Sequence, residues 1–129
     1  MAFGIFFAFG CDMTAGLETF QERSFRFACD VVQLYRQLIR QPDVPHAMAR
    51  QLLRSGTSIG ANLEEAVAAQ SRRDIANRFA IALRETRETR YWLRLLAATG
   101  LARADLLTAP LQESKELTAI LTTAHRKLL

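Results

Sequence analysis

The chain has 129 residues, half of them hydrophobic, with only six glycines and three prolines and a formal net charge of +4. That length makes one domain with a sizeable core. The composition excludes a disordered or low-complexity chain, while the modest basic balance permits nucleic-acid contact without demonstrating it.

The first ten residues, MAFGIFFAFG, are apolar throughout. They lack a basic n-region and a small-residue cleavage site, and they are too short to span a bilayer, so neither a signal peptide nor a membrane segment is expected. Residues 1–17 read as an extension ahead of the domain, either flexible or packed as an arm on a neighbouring subunit; residues 18–129 form the domain.

A first helix is expected from about Thr19, which with Glu22 makes a capping-box pattern. Phe20, Ser24, Phe27, Val31, Leu34 and Leu38 recur at helical spacing, with Ala28, Val32, Tyr35 and Ile39 widening the stripe, and the helix ends near Gln41, ahead of Pro42. Cys29 falls on this helix and reads as a small core residue. With Cys11 as the only other cysteine there is no disulfide framework, which points to a reducing, cytoplasmic setting.

A second helix is expected from Pro45 to about Gln70. Its segment Ser55–Gln70, SGTSIGANLEEAVAAQ, is unusual for a helix interior. Each glycine there costs about 1 kcal/mol against alanine. Gly56 and Gly60 are four apart, on one face, where they let a neighbouring helix backbone approach closely. Ser55, Ser58, Asn62, Glu65 and Ala69 form a second stripe beside the apolar Leu52, Ile59, Leu63 and Ala66. The helix therefore has close contacts on more than one side.

Ser71 and Asp74 then cap a third helix, Arg72 to about Thr99, with Gly100 as its stop. Its core stripe is Ile75, Phe79, Ala82, Thr86, Thr89, Leu93 and Leu96. The fourth helix reads as a short lead-in over residues 103–107 and a main helix from Thr108 to Leu128, because Pro110 suits a first turn better than a helix interior. Four amphipathic helices joined by short loops predict an all-α, up-down-up-down antiparallel four-helix bundle.

The chemistry concentrates on the third helix, which carries seven arginines against three acids. Arg73, Arg84, Arg87, Tyr91 and Arg94 lie opposite its core stripe. This face is either a solvated surface or a phosphate-binding one, with Tyr91 able to stack on a base. Lys115 and Lys127 are the only lysines among the 17 basic residues, so arginine dominates; codon bias or phosphate binding would each produce that. Ile81, Glu85, Glu88 and Trp92 lie between core and basic face. Together with Ser55, Ser58 and Asn62 they suggest a subunit interface, unless the core is wider than its stripe. The acids Glu64, Glu65, Glu85 and Glu88 lack the Glu-x-x-His motifs of di-metal bundles, and His46 and His125 have no ligand-spaced partners. Ion pairs or hydrogen bonds to Ser58, Asn62 or Arg78 are expected for the acids instead. No metal, cofactor, nucleophile elbow or phosphate loop is predicted, and hence no catalytic residue.

The segments RSGTSIGANLEEA and RDIANRFAIALRETRETRYWLRLL resemble the two signature segments of the bacterial 23S ribosomal RNA intervening-sequence proteins. Ser58, Ile59, Asn62, Leu63 and Glu65 or Glu64 match the family's Ser-Ile-x-x-Asn-Ile-x-Glu, and Tyr91-Trp92-Leu93 matches the end of its acidic helix. The resemblance covers about Phe20 to Leu128; the apolar first ten residues depart from the family's usual start. It implies a four-helix bundle assembling as a homopentamer and gives no catalytic residues. A related group, the accessory variability determinants of diversity-generating retroelements, binds nucleic acid and a reverse transcriptase, which extends to this chain by analogy only. The expected function is a non-enzymatic, oligomeric protein associated with RNA or DNA; the alternative is a protein-interaction scaffold with no nucleic-acid role.

Overall fold

The computed structural model describes residues 14–129, which form four helices: α1 (Thr14–Leu38), α2 (His46–Ala68), α3 (Arg72–Thr99) and α4 (Ala104–Leu128). Each helix packs against the next, and α1 also lies beside α4, which closes the four into a bundle. The cross-helix pairings run in opposite order along each pair. Val31 meets Gly56 while Ser24 meets Gly60, and Ser55 meets Thr89 while Asn62 meets Arg78. These two pairs are therefore antiparallel, and Arg72 at the start of α3 lies against Lys127 and Leu128 at the end of α4, which makes the chain an up-down-up-down bundle.

The core follows the sequence stripes. Phe27, Val31, Leu38, Leu52, Ile59, Leu63, Ile75, Phe79, Leu93, Leu96, Leu117 and Leu121 are almost wholly buried. Helix α3 starts and stops where its punctuation places it. The Ser71 side chain accepts from the Asp74 backbone N–H, and Gly100 ends the helix in the left-handed region at φ 66°, a conformation glycine adopts at no steric cost.

Three expectations need correction. Helix α1 begins at Thr14 rather than near Thr19, so residues 14–17 belong to the helix and not to an extension, and Thr19 is interior to it. The expected arm at the start of the chain lies outside the described residues. Helix α4 is continuous from Ala104 with Pro110 inside it. Pro110 takes one N–H out of the ladder, leaving the Leu106 carbonyl without its usual donor, but the turns on either side carry the helix through. Cys29 is exposed rather than in the core: it lies two residues from both Phe27 and Val31, about 200° round the helix from each.

Two polar ties close the bundle. Arg23 of α1 donates to Glu113 of α4 through both Nε and Nη2, at 2.7 Å each, and Nη2 also reaches Glu116 at 2.9 Å. These acids hold the Arg23 charge even more firmly than usual, first through the Glu113 hydrogen bond. Arg72, at the start of α3, donates to the Lys127 and Leu128 carbonyls at the end of α4, groups the helix itself leaves unpaired.

Ser24 is the exception to this satisfaction. It is fully buried where α1 crosses Gly60, and its hydroxyl has no hydrogen-bond partner among the described residues. An unpaired buried hydroxyl costs free energy, and alanine has the better helix propensity. Ser24→Ala is therefore expected to keep or raise stability, by up to about 1 kcal/mol. A fall in melting temperature would mean that the hydroxyl has a partner after all.

Candidate nucleic-acid interface

Helix α3 divides its charges between two sides. On the α2 side, Arg54 lies on the α2 surface, with its guanidinium hydrogen-bonded to Glu85 at 3.1 Å and to Glu88. The Trp92 indole N–H also donates to Glu88, at 3.0 Å. The partner of both acids is thus Arg54, not the expected Ser58, Asn62 or Arg78. Asn62 is engaged locally: its amide donates to the Ser58 carbonyl at 2.9 Å, and its side-chain oxygen accepts from Arg78 at 3.3 Å.

The Glu88 carboxyl is held below the ordinary carboxylate range, first by the Trp92 indole and then by Arg54, against the opposing effect of burial. Its stabilisation is therefore present above about pH 4.5, its ordinary value, and is lost as the pH falls through the lowered folded value. Because the carboxylate is partly exposed, the effect should be below about 1 kcal/mol. Trp92 is the only tryptophan, so its emission should change in acid below pH 4.5. Glu88→Gln should remove that transition; an unchanged titration in the variant would detach the signal from Glu88.

The residues expected at a subunit interface are not equivalent. Ser55 is fully buried and its hydroxyl accepts from Thr89 at 3.0 Å, inside the protomer. It presents nothing to a second copy, because the close approach of α2 and α3 turns it inward. Ser58, Asn62, Ile81, Glu85, Glu88 and Trp92 are half-buried. Other exposed apolar side chains lie elsewhere: Phe25 and Val32 on α1 are 65% and 39% exposed, and Leu129 past the end of α4 is 85% exposed. With Cys29 between them, Phe25 and Val32 form an exposed stripe, so Val32 does not widen the core stripe as expected; it stands about 100° round the helix from the buried Val31.

On its other side, α3 presents Arg73, Arg84, Arg87, Tyr91 and Arg94, all exposed. Among the described residues none of these arginines has a carboxylate within 4.0 Å, whereas Arg23, Arg54 and Arg103 are all paired. The Tyr91 ring stands edge-on to Trp92, with centroids 5.2 Å apart, and is 54% exposed.

The structure adds what sequence spacing could not. Arg84 and Arg87 line a groove of about 720 Å³ between α3 and α4, with Thr122, His125 and Arg126 on its opposite wall. No Asp or Glu side chain among the described residues lines it, although Leu129 also borders it, whereas the grooves between α1 and α4 and beside the α2–α3 turn contain Asp30 and Glu113, and Glu65 and Asp74. Spacing of seven and four residues places Lys115, Thr122 and Arg126 along one side of α4. Among the described residues, no group of three His, Cys, Asp or Glu side chains could hold a metal ion, and no helix is long and apolar enough to cross a membrane.

Comparison with known proteins agrees with this architecture. A crystal structure of a protein of unknown function from the S23 ribosomal protein family, from Bacteroides thetaiotaomicron, is 40% identical with a TM-score of 0.75. The match covers 81% of this chain and 95% of that one. No curated protein matches the chain. The model of the 23S rRNA-intervening sequence proteins matches residues 17–123, a span that runs from the first turns of α1 almost to the end of α4. The chain belongs to the 23S rRNA-intervening sequence protein family.

Proposed function

We propose that this chain is a non-enzymatic, oligomeric, cytoplasmic protein that binds RNA or DNA by its backbone, through the outer face of α3. The observation that carries the reading is the separation of charge on that helix. Glu85 and Glu88 are occupied by Arg54 of α2, while Arg73, Arg84, Arg87 and Arg94 point to solvent without an acidic partner among the described residues. Cations left free on one face suit phosphates. The family's name, which ties it to ribosomal RNA genes, favours a nucleic-acid setting. Fluorescence anisotropy with labelled RNA and DNA at several salt concentrations tests the reading. Binding that weakens steeply with salt is expected; no binding at low salt overturns it.

The stripe of Phe25, Cys29 and Val32 favours a homo-oligomer, because it places exposed apolar surface along one helix. Trp92, half-buried on α3, adds a separate apolar side chain. A pentamer follows from the family resemblance alone, as does a reverse transcriptase as partner. Light scattering should report a multiple of the 14.5 kDa chain; a monomer at micromolar concentration would overturn the assembly. The same stripe also suits a scaffold with no nucleic-acid role, the reading to adopt if assembly is found without binding.

A further inference from the structure

The groove between α3 and α4 is more than a basic surface. Its floor is apolar, from Ala80, Ile81 and Leu83, and its rim carries Arg84 and Arg87 on one side and Arg126 on the other. His125 supplies an aromatic ring from α4, half-buried in the wall. The volume of about 720 Å³ lies within the roughly 300–1,000 Å³ of small-ligand clefts.

We propose that this groove seats an unpaired nucleotide, its base against the apolar floor and the His125 ring and its phosphates between Arg84, Arg87 and Arg126. The proposal rests on the nucleic-acid reading above and narrows it to single strands. A duplex keeps its bases stacked and paired, so it can offer the groove only phosphates along the rim, and the floor and ring stay unused. An unpaired base has a free face, and such bases stack on histidine, tyrosine and arginine planes. The Tyr91 ring lies on the same side of α3, one turn beyond Arg87, and offers the neighbouring base a second platform.

The test uses the full chain and anisotropy at one fixed salt concentration. The probes are a labelled single-stranded RNA of mixed sequence and the same strand annealed to its complement. The parent should bind the single strand at least about ten-fold more tightly, the scale of one stacked base. His125→Ala should weaken the single strand by about ten-fold and leave the duplex unchanged, and His125→Phe should restore the single-strand affinity. Arg126→Gln should weaken both probes. Circular dichroism melts of each variant establish that the bundle is intact. Equal binding of both probes by the parent, or equal loss from both in His125→Ala, overturns the unpaired-nucleotide site while leaving the nucleic-acid reading in place. Absence of binding to either probe overturns both.

Discussion

Gly56→Ala is expected to lower the melting temperature, while Gly60→Ala leaves it unchanged or raises it. The two glycines lie one turn apart on α2 and face α1, but they meet different atoms. A Cβ on Gly56 would stand 2.8 Å from both γ-carbons of Val31. Val31 is fully buried, and a β-branched side chain in a helix has essentially one rotamer. It cannot swing aside, so α1 must move off α2. A Cβ on Gly60 would lie 3.5 Å from the Ser24 carbonyl oxygen, an ordinary contact, and alanine is about 1 kcal/mol the better helix former. Overpacking typically costs 1–3 kcal/mol, enough at Gly56 to outweigh the propensity gain. Leucine at either position adds bulk that the crossing cannot take. Gly56→Leu should be the more damaging, at about 3 kcal/mol or on the order of 10 °C in melting temperature. Thermal melts followed by circular dichroism decide it. A rise in melting temperature for both leucine variants would mean that neither glycine is in the α1–α2 contact.

The same contact shows where sequence reading succeeds. Spacing alone implied that Gly56 and Gly60 admit a neighbouring helix, because a glycine pair inside a helix needs a packing reason. Which helix it was, and which glycine was the tighter, depended on the register of α1 against α2. The ends of α3 were legible for a local reason: Ser71, Asp74 and Gly100 act on their own turns. The start of α1 was not, since Thr19 and Glu22 keep the same spacing whether they begin a helix or sit within one. Pro110 misled because its local cost is real, yet the turns around it outweigh that cost. The partner of Glu85 and Glu88 was missed because Arg54 is 31 and 34 residues away in sequence. Nothing in the spacing of α3 brings it near; the α2–α3 register does. The groove was half legible in the same way. Arg84 and Arg87 stood out on their own helix, whereas Arg126 and His125 gain their meaning only once α4 lies beside them.

The combined variant Arg84→Gln, Arg87→Gln and Arg94→Gln should lose affinity for nucleic acid and flatten its salt dependence while the bundle stays folded. Each phosphate neutralised on a duplex contributes about 0.9 to the slope of log affinity against log salt, and about 0.7 on a single strand. Three lost contacts per subunit should therefore reduce the slope by roughly two to three and weaken binding at low salt by about 10- to 100-fold. In a symmetric oligomer the set repeats in each copy, so the loss would grow with the number of subunits on one strand. Glutamine keeps helix propensity and much of the side-chain stem, which leaves charge as the main variable. These arginines hold no carboxylate among the described residues, so their removal breaks no ion pair in the fold. Arg23→Gln should behave in the opposite way. It breaks the two-point grip on Glu113, where both partners are only about a quarter exposed. Stability should fall by about 1 kcal/mol or more, with the salt slope unchanged. Anisotropy titrations and melts on both variants separate the charges that hold the bundle from those that meet a phosphate. A triple variant that binds with the parent's affinity and slope would place the bound nucleic acid away from these α3 arginines.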